Sequence, residues 1–67
     1  MDRDTAVVTI LKEIVRSRKV LLDEQVKVGG SGSEGSIAQA RIEWLQAILE
    51  LEREQPGASA PFLREGQ

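Results

Sequence analysis

The sequence has no cysteine, no histidine and no tyrosine, and only one tryptophan and one phenylalanine in 67 residues. Without cysteine there is neither a disulfide framework nor a thiolate zinc site. Without histidine the commonest metal ligand and general base is missing. A chain of this length holds one small domain, whose core rarely supplies more than ~3–5 kcal/mol. Small domains usually add disulfides, a metal or oligomerisation. Oligomerisation, or folding against a partner, is what remains here.

A basic excess is also missing. Nine Lys and Arg stand against eleven Asp and Glu, a net charge of −2. Nucleic-acid binding calls for a dominant basic patch, so it is disfavoured. Aliphatic runs are no longer than Val20–Leu22 or Ala47–Leu49, too short to span a bilayer. Met1-Asp2-Arg3-Asp4 lacks the basic-then-apolar build of a signal peptide. The default expectation is a cytoplasmic protein with no membrane contact.

What is present is aliphatic periodicity. Val7, Ile14 and Leu21 are spaced by seven, as are Val8, Val15 and Leu22, with Leu11 between the rows. That is the broad apolar stripe of a buried amphipathic helix. Asp2 or Asp4 can cap its start. A second stripe holds Ile37, Ala40, Trp44, Ile48 and Leu51 in one row, and Ala38, Ile42, Leu45 and Leu49 in another. Ser36 and Gln39 have the spacing of a capping box at its start. Gly29–Ser36 is a flexible Gly/Ser connection, the composition also of linkers that join two engineered peptides. Pro56-Gly57 ends the periodic pattern.

These signals predict helices over about 4–27 and 36–55, joined by the loop 29–36, as an antiparallel hairpin in residues 1–55. Residues 56–67 read as a flexible tail. Lys12 should approach Glu52. The second stripe is wider than one helix can cover, so two copies are expected to pair into an all-α four-helix bundle. The core or dimer seam is expected at Val8, Leu11, Val15 and Leu22, and at Ile37, Leu45, Ile48 and Leu49.

Lys19–Val28 also admits another reading. Val20/Leu22 and Val26/Val28 alternate around Asp23-Glu24, as in a β-hairpin. The resulting helix–hairpin–helix order resembles the N-terminal docking domains of multienzyme assembly lines of the nonribosomal peptide and polyketide type. The resemblance implies a small α-β-β-α docking domain. The glycine before the first strand and the aromatic within it that mark the family are absent here.

No motif carries chemistry. Gly30-Ser31-Gly32-Ser33-Glu34-Gly35 matches the dinucleotide-binding spacing, but that site needs a βαβ unit larger than this chain. The P-loop lysine position holds Ser36. Glu50 and Glu54 lie one helical turn apart with no base or concave site beside them. No cofactor, metal or catalytic residue is expected, and the protein is expected not to be an enzyme.

Partner contacts are expected from Arg16, Arg18 and Lys19, from Trp44, and from the tail pair Phe62 and Leu63. A hairpin dimer resembles the Rop-type RNA-binding bundles in topology alone. The leading expectation is a small regulatory inhibitor or adaptor, in the style of bacterial or phage proteins, that binds itself and a larger protein.

Overall fold

A computed structural model describes residues 3–29 and 34–65; of Glu65 it describes the backbone. The apolar intervals of three and four become two long helices. Helix α1 is Arg3–Val28 and helix α2 is Glu34–Glu54. A short helix, α3, follows at Ala60–Glu65. Among the described residues there is no strand.

Local chemistry agrees with the helix ends. Asp4 in the first turn of α1 and Glu34 in the first turn of α2 face the positive ends of the helix dipoles. Lys27 and Arg53 occupy the last turns, where a cation is favourable. The hydroxyl of Thr9 donates to the Thr5 carbonyl at 2.9 Å, which settles a β-branched polar residue inside α1. Pro56 has no N–H to continue the ladder of α2. Gly57 then takes φ +91°, a left-handed conformation open to glycine and costly for other residues.

The two long helices pack as an antiparallel hairpin. Asp4, Val8 and Lys12 share a cleft with Glu54 and Gln55, so the start of α1 meets the end of α2. At the other end, Leu21 and Gln25 meet Gly35, Gln39 and Glu43. Val15 and Leu51 are fully buried at the centre. Leu22, Ala40, Trp44, Ala47, Ile48 and Phe62 complete the buried cluster, and Val8, Leu11, Ile37 and Ala58 pack against it. Ala40 and Ala47 alternate with Trp44 and Leu51 along the seam. The small residues give the helices room to approach, and the large ones fill the space between.

Several expectations change. Residues 19–28 form the last turns of α1, not a β-hairpin. Leu22 is buried one heptad beyond Val15, while Val20, Val26 and Val28 face solvent. The spacing of seven therefore outweighs the local alternation. Asp23, expected at a turn, instead accepts an ion pair from Lys19 at 2.7 Å within the helix. Helix α2 begins two residues before the expected start, so Ser36 lies in its first turn and not at a capping box. Positions 30–33 of the Gly-rich motif lie outside the described residues. Gly35 is helical, and nothing approaches the place of its missing side chain.

The segment after Pro56, read as a flexible tail, folds back in the structure. Phe62 joins the core and Ser59 is buried with it. Glu52, expected near Lys12, directs its carboxylate to this segment. Its carboxylate accepts the Gly57 amide at 2.6 Å, and the amide and hydroxyl of Ser59. The Ser59 hydroxyl, with the Gly57 amide after it, holds the Glu52 carboxyl below its ordinary value. Three donors of the turn are thus satisfied by one side chain.

Candidate interaction surface

The side chains named as partner contacts come from three parts of the sequence, and the fold brings four of them together. Arg16, Lys19, Trp44 and Phe62, with Val20, line one mainly apolar cleft of about 260 Å³. The Arg16 guanidinium stands 5.4 Å from the centre of the Phe62 ring. The Lys19 ammonium stands 5.5 Å from the centre of the Trp44 ring. Each such pair contributes about 0.5–1 kcal/mol at an exposed site, because the negative face of the ring attracts the cation.

The arrangement follows from helical geometry. Lys12, Arg16 and Lys19 are separated by four and three residues and so share one edge of α1. A second cleft, lined by Lys12, Arg16, Pro61 and Phe62, continues the first along that edge. Phe62 reaches it because the turn at Gln55–Ser59 reverses the chain. The Ala58 amide donates to the Gln55 carbonyl, and the Phe62 and Leu63 amides to Ser59.

Trp44 is 8% exposed, and its indole Nε1 has no hydrogen-bond partner among the described residues. A buried donor left unpaired costs on the order of 1–3 kcal/mol. The aromatic body thus serves the core while its polar atom goes unused.

The remaining candidates lie elsewhere. Arg18 is exposed and turned roughly 200° around α1 from Arg16. Leu63 is 42% exposed and does not line the cleft. Val20, Lys12, Glu52 and Ser59 were not singled out as site residues. A signal for Glu52 and Ser59 was present: a carboxylate placed shortly before Pro-Gly, with a serine beyond it.

Family models, curated proteins and solved structures give no match to this chain. Its reading therefore rests on its own surface.

That surface carries two apolar rows outside the core. On α1, Ile10 is 59% exposed, and Ile14, Leu21 and the half-buried Val7 continue the row. On α2, Ile42, Leu45 and Leu49 form an outward row, with Leu49 63% exposed. Leu45 and Leu49 thus lie outside the core of the single chain. Ile48, expected in the core or at a dimer seam, and Trp44, named as a partner contact, are buried within one chain. No described helix is long and apolar enough to cross a membrane. No described group of His, Cys, Asp or Glu has the arrangement of a metal site.

Proposed function

We propose that this protein is a non-enzymatic interaction module, a regulatory inhibitor or adaptor. It pairs with a second copy through the outer row of α1 and presents its basic edge to a larger protein. The observation that carries this reading is the row Val7, Ile10, Ile14 and Leu21. It is an ordered apolar stripe on a helix whose other apolar face is already used in the hairpin.

The row suits a symmetric contact. Val7, Ile14 and Leu21 are evenly spaced about Ile14. Two α1 helices run antiparallel would set Ile14 on its own copy and Val7 against Leu21 of the other. A two-fold interface uses the same patch on both copies and closes on itself. The result is a four-helix bundle with α1 helices at its centre. Burying one large aliphatic side chain is worth about 1.5–3 kcal/mol, and the row supplies several per copy.

The docking-domain alternative rested on strands at 19–28, which are helical. The Rop-type alternative has only the short row Lys12, Arg16 and Lys19 for phosphate, in a chain of net charge −2. Light scattering with circular dichroism tests the proposal. Ile14→Asp is expected to give a helical monomer, since Ile14 lies outside the core. A wild-type chain that stays monomeric at high concentration would refute the pairing.

A further inference from the structure

We propose that the basic edge of α1 is a docking groove for an acidic amphipathic helix of a partner protein, and that α3 is the groove's internal occupant, displaced when the partner binds. This rests on the reading of the protein as a binding module and names the chemistry of its partner.

Charge is the first argument. Lys12, Arg16 and Lys19 border the two adjoining clefts. Among the described residues, only Lys19 has a carboxylate partner, Asp23. Asp4 and Glu54 share a cleft with Lys12 at one end of this edge, and Glu52 is engaged by Gly57 and Ser59. Arg16 faces the Phe62 ring in place of a carboxylate. A partner with Glu or Asp three and four residues apart would match the spacing of the three cations.

The second argument is the state of the groove. Phe62 shows that an aromatic side chain fits between Arg16 and the Trp44 region. The Trp44 indole N–H is buried and has no hydrogen-bond partner among the described residues. α3 therefore fills the apolar part of the groove, while Arg16 has no carboxylate partner among the described residues. Its own attachment is slight. One side chain of α3, Phe62, is buried, and the turn before it depends on the Glu52 carboxylate. An acidic segment with an aromatic or large aliphatic residue at the place of Phe62 satisfies more of the groove than α3 does. Nucleic acid is the less fitting occupant, because the field is short and the cleft is mainly apolar.

Trp44 is the only tryptophan, so its fluorescence reports on the groove directly. The probe is a synthetic helical peptide with Phe and Leu on one face and Glu at the flanking positions. Its controls are a Lys-flanked counterpart and a single-stranded RNA oligonucleotide. The acidic peptide is expected to shift Trp44 emission saturably, with binding weakened by added salt. Arg16→Glu should weaken binding by about ten-fold, equivalent to about 1.4 kcal/mol. Arg16→Gln, which removes the charge without reversing it, should weaken binding by a smaller factor and leave the helical signal intact. Glu52→Ala, which frees α3 without changing the groove, should tighten binding several-fold. No saturable shift, equal response to the Lys-flanked peptide, or preference for RNA would overturn the assignment. Weaker binding by Glu52→Ala would show that α3 belongs to the site and does not compete for it. A chain that dimerises but ignores the acidic peptide loses the groove and keeps the self-association.

Discussion

Leu51→Ala removes a side chain with no exposed surface at the centre of the hairpin, where Val15 is equally buried and Ala47 is close by on the same helix. Native stability runs at roughly 0.05–0.15 kcal/mol per residue, or about 3–10 kcal/mol for a chain of this size. A buried Leu→Ala change costs about 2–5 kcal/mol, because the vacated space adds to the lost burial. A small core flanked by alanines has few large side chains to fill that space, so about 3 kcal/mol is expected. The loss is comparable with the whole stability. Leu49, two residues away, is 63% exposed. Leu49→Ala gives up a minor part of one aliphatic burial, about 0.5–1 kcal/mol. Urea unfolding followed by far-UV circular dichroism at one fixed protein concentration separates the two. With a slope of about 1 kcal/mol per molar, Leu51→Ala should lower the midpoint by ~2–3 M and Leu49→Ala by under ~1 M. Equal shifts would refute the assignment of the core to this face of α2.

Other outcomes follow from the same structure. The folded Glu52 carboxyl is held below its ordinary value of 4.5, so the stabilisation it gives the turn is full above that value. It is lost as the pH falls through the lowered folded value. Trp44 emission should therefore shift on acidification. Glu52→Ala should show the shifted emission already at neutral pH. Gly57→Ala places a side chain on a backbone with φ +91° and should cost about 1–2 kcal/mol, read as loss of near-UV ellipticity from Trp44. Ile48→Asp puts an unpaired charge into the buried cluster. It should abolish the helical signal and not merely divide two folded copies.

The fold was largely legible because it depends on long-range repetition. Val8, Val15 and Leu22 repeat every seven residues, and that register outweighs the local alternation at Val20 and Val26. Helix ends were less legible. Ser36-Ile37-Ala38-Gln39 has the spacing of a capping box, yet α2 starts at Glu34. The fate of residues 56–65 was hidden for a different reason. Phe62 is anchored through Glu52 and Ser59, a contact between two segments that no periodic pattern announces. The candidate surface divides in the same way. The residue types at Arg16, Lys19, Trp44 and Phe62 drew attention from the sequence. Their meeting in one cleft depends on the reversal at Gly57, a tertiary event. Leu45 and Leu49 belonged to a real apolar row, but periodicity alone does not say which of two rows faces the core.

The outer row of α1 is the centre of the account, and the solution mass across a range of concentrations tests it most directly. Light scattering on the wild-type chain should give twice the 7.4 kDa chain mass at high concentration, and Ile14→Asp should give the single mass with its helical signal intact. A wild-type protein that holds the single mass throughout, or an Ile14→Asp protein that remains a dimer, would contradict pairing through that row.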